Sequence, residues 1–215
     1  MTPSPRTLLP THLPLLADHQ AALTTCKLCP DMIGPVVVGQ PVRTKILHIG
    51  QAPGAREGIH GKPFSFTAGK TLFSWFASIG VNEETYRSRV YMAAVCRCFP
   101  GKNPKGGDRV PRTEEVENCR PWLKREVEIL QPELVVPIGK LAIAQLLPFR
   151  KLDEVVGKIH YTSWLGRDVD VIPLPHPSGL STWFRKSPGS ILLRSALDAL
   201  HSHPTWNHVF STKVT

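Results

Sequence analysis

The chain reads as an α/β protein, a three-layer α/β/α domain around a central, mostly parallel four-stranded sheet. Three observations predict this. Four short apolar runs, at 45–50, 89–95, 133–139 and 169–174, have the length and near-continuous apolarity of strands covered on both faces. Segments with helical spacing separate them, the alternation expected of parallel strands joined by crossover helices. The 215 residues, 41% of them hydrophobic, suffice for one domain with a sizeable core and are too few for two comfortable ones.

Along the chain, Pro3, Pro5, Pro10 and Pro14 make residues 1–14 an irregular segment. A short helix over Leu15–Thr24 leads into Cys26-Lys27-Leu28-Cys29, a C-x2-C knuckle. The first strand, Lys45–Gly50, runs into the loop Gly50-Gln51-Ala52-Pro53-Gly54. Leu72, Phe73, Phe76 and Ile79 form an apolar stripe on a helix over Ala68–Ile79. Arg89–Val95 is the second strand, and continued alternation puts Cys96 and Cys98 on one of its faces. Phe99–Arg112 is too polar and too broken by Gly and Pro for core, so it reads as a solvated loop. Its Lys102, Lys105, Arg109 and Arg112 suit phosphate. Thr113-Glu114-Glu115-Val116 starts a helix that reaches Leu130. Glu133–Gly139 is the third strand, made less regular by Pro137, and Lys140–Leu147 the next helix. Val169–Leu174 is the fourth strand, and Pro188–Leu200 the last helix. One domain therefore spans 15–205, and 206–215 is read as a C-terminal tail.

Composition narrows the function classes. No apolar run approaches the ~20 residues of a membrane span, and no basic region followed by a long apolar stretch opens the chain. A cytoplasmic protein without a membrane partner is expected. Twenty-six Lys and Arg against 17 Asp and Glu give a net charge of +9, which favours a polyanion such as DNA. Five cysteines, Cys26, Cys29, Cys96, Cys98 and Cys119, form an odd set unlike a secreted disulfide framework.

Two loops that follow strands carry candidate chemistry, since sites in such folds form beyond the carboxyl ends of the strands. One is Gly50–Gly54, whose backbone N–H groups can bind a base or a phosphate. The other is His176-Pro177-Ser178-Gly179-Leu180-Ser181, which joins a polar residue able to stabilise charge on a bound ring to an apolar one. Leu180 on a Pro/Gly/Ser loop suits a wedge that enters the space left by a flipped nucleotide.

These pieces, in their order, resemble the uracil-DNA glycosylase superfamily, especially its iron–sulfur branches, families 4 and 5. The resemblance rests on the C-x2-C knuckle, Gly50–Gly54, Gly61-Lys62-Pro63-Phe64 followed by Ala68-Gly69, the strand ending at Cys98, Cys119-Arg120-Pro121-Trp122, and His176-Pro177-Ser178. It implies a monofunctional glycosylase that hydrolyses the N-glycosidic bond of uracil, with hypoxanthine and xanthine as further candidates, in base-excision repair. It implies a monomer acting on DNA that contains deaminated bases, associated with the nucleoid in the cytoplasm. It further implies that Cys26, Cys29, Cys98 and Cys119 hold a 4Fe–4S cluster with a structural role. Four thiolates alone suit zinc equally well, and Cys96, on the same strand face as Cys98, could take its place but is read as a buried free thiol.

By the same resemblance Phe64 stacks on the base, His176 stabilises the departing base, and Gly50, Ala52, Pro53, Gly54, Ala94 and Ser178 line the substrate site. The chain departs from family 4 at Gln51, where that family has Glu, and at Ala94, where it has the Asn that reads the uracil amide edge. Both departures lean towards family 5, and they put strict uracil specificity in doubt. Gln51 is left to hold the attacking water or to fix its loop, with Glu57 as a solvated loop carboxylate in reserve and His60 on the surface. Ser181, Arg185 and Lys186 extend the DNA-facing rim, and one ring of Trp183 and Phe184 anchors the loop while the other meets DNA. Because the loop Gly50–Gly54 carries no acid, a protein that holds damaged bases without cutting is the alternative reading. A zinc-knuckle adaptor without an active site is a third.

Overall fold

The computed structural model describes residues 12–211. It contains β1 (Ile46–Gly50), β2 (Tyr91–Ala94), β3 (Leu134–Pro137), β4 (His160–Trp164) and β5 (Arg167–Val171). The helices are α1 (His12–Thr24), α2 (Ala55–His60), α3 (Thr67–Ala77), α4 (Glu83–Arg89), α5 (Thr113–Leu130), α6 (Lys140–Ala144), α7 (Gly189–Ser202) and α8 (Pro204–Ser211). The strands form one sheet in the order β2-β1-β3-β5-β4, parallel except for the β4–β5 pair. Every residue of β1 and β3 is buried, as strands covered by helices on both faces must be.

The sheet has five strands rather than four. The addition is β4, an edge strand that pairs antiparallel with β5 through a turn in which Leu165 and Gly166 both take positive φ, 49° and 81°. Its sequence, His160-Tyr161-Thr162-Ser163-Trp164, has no apolar run, and its burial alternates until Trp164. A search for continuous buried strands passes over such a segment. Helices α2 and α4 are too short and too polar to show a stripe.

The expected tail is also corrected. Trp206 is 1% exposed and packs with Phe76, Tyr86 and Phe210, with ring centroids 5.8, 6.1 and 4.5 Å away. Arg89 donates to the carbonyls of Val209 and Phe210, so α8 belongs to the domain. At the other end, helix α1 already begins at His12, inside the segment read as irregular, while residues 1–11 lie outside the described ones.

A buried polar network fixes α1 and α5 to the end of β2. Glu126 of α5 forms an ion pair with Arg97, both essentially inaccessible, and accepts the Tyr91 hydroxyl at 2.6 Å. Gln20 of α1 donates to Tyr91 Oη at 3.1 Å and to the Gly39 carbonyl at 2.9 Å. Burial pushes the Glu126 carboxyl up, but Arg97, His19 and Tyr91 outweigh it and hold the group below the usual carboxylate range. Arg97 Nε also donates to the Ala94 carbonyl at 2.9 Å. No helix among the described residues is long and apolar enough to cross a membrane.

If α8 is structural, Trp206→Ala should lower the unfolding free energy by about 3–5 kcal/mol, the usual loss for a fully buried large aromatic. Urea midpoints of the variant and the parent measure it, and an unchanged midpoint would return α8 to the status of a tail.

Candidate functional site

The carboxyl ends of β1, β2, β3 and β5 share one edge of the sheet, and the loops that leave them build a cleft. Beyond β1, the β1–β2 pairing continues into the first loop, with Val95 N–H donating to Gly50 O and Cys96 N–H to Gln51 O. Gly50, Ala52, Pro53, Pro63, Phe64, Ala93 and Ala94 line a pocket there. Five of the residues expected at the substrate, Gly50, Ala52, Pro53, Phe64 and Ala94, therefore come together. Gly54 and the half-buried Gln51 flank the pocket.

Phe64 is a shelf held by force. Its φ of 51° is left-handed, a conformation that costs a non-glycine residue about 1–3 kcal/mol unless neighbours impose it. Arg87 imposes it. From a position packed on the Phe73 face, the guanidinium donates to Pro63 O at 2.8 Å and to Phe64 O at 2.9 Å. Gly69 completes the arrangement, because a Cβ there would lie 1.8 Å from Phe64 O. Gly50 lets the ring lie over the end of β1, where a Cβ would approach Phe64 Cε2 to 3.1 Å.

Below the shelf, His48 meets Phe64 edge-on at 5.0 Å and its Nδ1 lies 3.0 Å from Tyr86 Oη. Burial, helped by the nearby Arg87 charge, lowers its pKa to about 3, so the ring is neutral. Glu57 is not a solvated loop residue. Its Oε2 accepts the Gly54 N–H at 2.6 Å, and the carboxylate also takes the N–H groups of Phe64 and Ser65. It ties the first loop to the shelf, with its pKa raised chiefly by burial. His48 and Arg87 had no signal in the sequence, because their partners lie in distant segments, whereas Glu57 stands three residues after the N-cap Gly54, a local pattern that a search for loop carboxylates passes over. His60 is exposed and pairs with Ser65 Oγ at 3.0 Å.

His176 stands across the edge, after β5. Its ring lies against Gly139, where a Cβ would come within 3.1 Å of Cδ2. The Ser178 N–H donates to Nδ1 at 3.3 Å, which leaves Nε2 carrying the proton of the neutral ring. Burial lowers its pKa, while the Asp108 charge acts in the opposite direction. The residue is thus built as a neutral N–H donor. Leu180 is 77% exposed, and its Cδ1 is 2.7 Å from where a Gly107 Cβ would sit.

The basic loop divides its charges. Lys105 is exposed, whereas Lys102 pairs with Asp108 at 2.6 Å, Arg109 forms two hydrogen bonds with Glu115 at 2.5 and 2.7 Å and Arg112 pairs with Asp31 at 2.6 Å. Both rings of the Trp183-Phe184 pair anchor to the body. Trp183 Nε1 donates to Asp153 at 2.7 Å, and Phe184 meets Trp75 edge-on at 5.0 Å.

On the far side of Arg97, Cys26, Cys29, Cys98 and Cys119 line a common cavity of about 380 Å³. Cys98 is pushed up to about 11, first by burial and then by the charges of Cys119, Cys26 and Cys29. Cys96 is fully buried and hydrogen-bonded to Cys119 instead. No three His, Cys, Asp or Glu side chains among the described residues converge on a single-ion site.

The His48 environment makes acid stability a readout of the shelf. Above pH ~6.5 the ring is neutral whether folded or not; below it the unfolded chain takes up a proton that the folded one refuses down to about pH 3. Stability should therefore fall by a few kcal/mol as pH drops through that window. In His48→Gln the fall should be shallower, as measured by urea midpoints across pH.

The sequence pattern of the Uracil DNA glycosylase superfamily matches residues 36–200. The chain is 34% identical to a type-4 uracil-DNA glycosylase of Archaeoglobus fulgidus over 64% of its own length and 67% of that enzyme. It is 30% identical to the type-4 enzyme of Saccharolobus solfataricus over 78% of its own length and 76% of that enzyme. A type-5 uracil-DNA glycosylase of Pyrobaculum aerophilum is a more distant match, 32% identical over 58% of this chain and 66% of that enzyme. The leaning towards family 5 is corrected by these likenesses. Gln51 and Ala94 are local departures in a chain whose similarity runs first to type-4 enzymes.

Proposed function

The chain belongs to the uracil-DNA glycosylase superfamily, and from that premise we propose that it is a monofunctional DNA glycosylase that hydrolyses the N-glycosidic bond of uracil in DNA. The observation that carries this reading is the pairing of a strained aromatic shelf, Phe64, with a neutral N–H donor, His176, at one edge of the sheet. A flipped base lies on Phe64, with Gly50, Ala52 and Pro53 around it. As the C1′–N bond breaks, its electron pair leaves with the base, and His176 Nε2–H donates to the ring oxygen that gathers the charge. Gln51 holds the water that attacks C1′. Leu180 fills the gap in the duplex, while Ser178, Ser181, Arg185 and Lys186 meet the backbone.

Specificity is broad in this reading. Ala94 presents a methyl group where an amide would read the uracil edge, so shape, stacking and backbone groups select the base. Hypoxanthine and xanthine are substrates on the same grounds. The protein works as a monomer on cytoplasmic, nucleoid DNA, in the first step of base-excision repair.

The cysteines hold a 4Fe–4S cluster in this proposal. In support, the four cysteines line one common cavity, where their thiolates could together ligate a single centre. Its contribution is a covalent tie between the 26–36 segment, the end of β2 and α5.

Two experiments test these claims. Duplexes containing uracil, hypoxanthine or xanthine, incubated with the protein and then treated with alkali, should break at the modified site. His176→Ala should slow uracil excision by about 10²–10³-fold. Tight binding to uracil duplexes without breaks would establish the lesion-holding alternative instead. The purified protein should be brown, with broad absorbance near ~400 nm that Cys119→Ser loses; a colourless protein containing zinc would remove the cluster from the account.

A further inference from the structure

Hydrolysis of a glycosidic bond is helped by a carboxylate that takes the proton of the attacking water, and the first loop offers none of its own. Glu57 is occupied by three backbone N–H groups. The segment 101–109 brings another. It folds into a tight hairpin in which Asn103 N–H donates to Gly107 O, Gly106 N–H to Asn103 O and Arg109 N–H to Gly101 O, each at 2.9 Å. The Arg109 pair with Glu115 pins its end to the first turn of α5.

The hairpin sets Asp108 at the mouth of the cleft. Its Oδ2 lies 3.2 Å from where a Gly54 Cβ would sit, the point that Glu57 Oε2 approaches to 3.7 Å. Its Oδ1 accepts Lys102 Nζ at 2.6 Å, so the second oxygen is the one turned to the Gly54 loop. The carboxylate is also near enough to His176 for its charge to act on the ring. Leu180 rests on the adjacent Gly107, so the wedge and this carboxylate share one hairpin.

We propose that Asp108 is a catalytic residue of this chain, the carboxylate that accepts the proton of the attacking water; this rests on the glycosylase reading above. The water oxygen bonds to C1′ as the C1′–N bond breaks. The electron pair departs with the base, held by His176 Nε2–H, and the water's proton passes to Asp108. The resulting carboxylic acid then returns the proton to the released base anion or to solvent. No further reactant is needed.

Single-turnover excision of uracil from a duplex, with binding to the same duplex followed by fluorescence anisotropy, tests this directly. Asp108→Asn should lower the excision rate by about 10²-fold or more while Kd stays within a few-fold. Added formate should restore part of the rate in Asp108→Gly, a response that a merely structural role would not give. If the parent cuts uracil and Asp108→Asn cuts equally fast, the assignment of Asp108 is wrong and the glycosylase reading survives. An Asp108→Gly protein whose lost rate formate does not restore at all would also overturn it. A parent protein that cuts none of the duplexes overturns the glycosylase reading, and this assignment with it.

Discussion

The buried ion pair between Arg97 and Glu126 is the constraint from which the rest of the molecule takes its positions. Arg97 lies between Cys96 and Cys98, and its Nε holds the carbonyl of Ala94 on the pocket wall. Glu126 lies on α5, two turns beyond Cys119, and reaches α1 through Tyr91 and Gln20. One charge pair thus links the pocket around Ala94, the cysteine cavity and α1. Leaving either partner alone in that dry interior would cost several kcal/mol, which is why the surrounding groups satisfy the carboxylate so fully.

The edge that carries Phe64 and His176 is assembled from opposite sides. The shelf and the first loop hang from β1, with Arg87 and Glu57 as struts, whereas His176 follows β5 and rests on Gly139 after β3. Parallel strands bring these segments to one edge although more than a hundred residues separate them. The electrostatics divide likewise. His48 and His176 are both kept neutral by burial, but His48 supports the shelf from beneath and His176 packs on Gly139 beyond β3.

What the sequence disclosed, and what it hid, follows from the range of the interactions. The parallel strands were legible because burial on both faces leaves continuous apolar runs, and α5 because its acidic first turn and stripe agree over Thr113–Leu130. The edge strand β4 was not, since two of its five residues are exposed and only Trp164 is buried. Trp206 was misplaced because a single buried aromatic in a polar stretch carries no periodicity. At the site, the residues of the two loops could be named, but not the struts. Nothing local to Arg87 says that it will grip two carbonyls on the far side of α3 in sequence, and nothing local to Asp108 distinguishes it from any other hairpin carboxylate.

The contact between Gly69 and the Phe64 carbonyl also bears on how such a pocket can change over generations. No side chain fits at Gly69 without displacing the shelf, and none larger than hydrogen fits at Gly50 without crowding its ring. Selection therefore finds that wall closed. Ala94 lines the same pocket from the end of β2. A change of pocket shape that leaves Phe64 in place therefore falls on the β2 side rather than on Gly50 or Gly69.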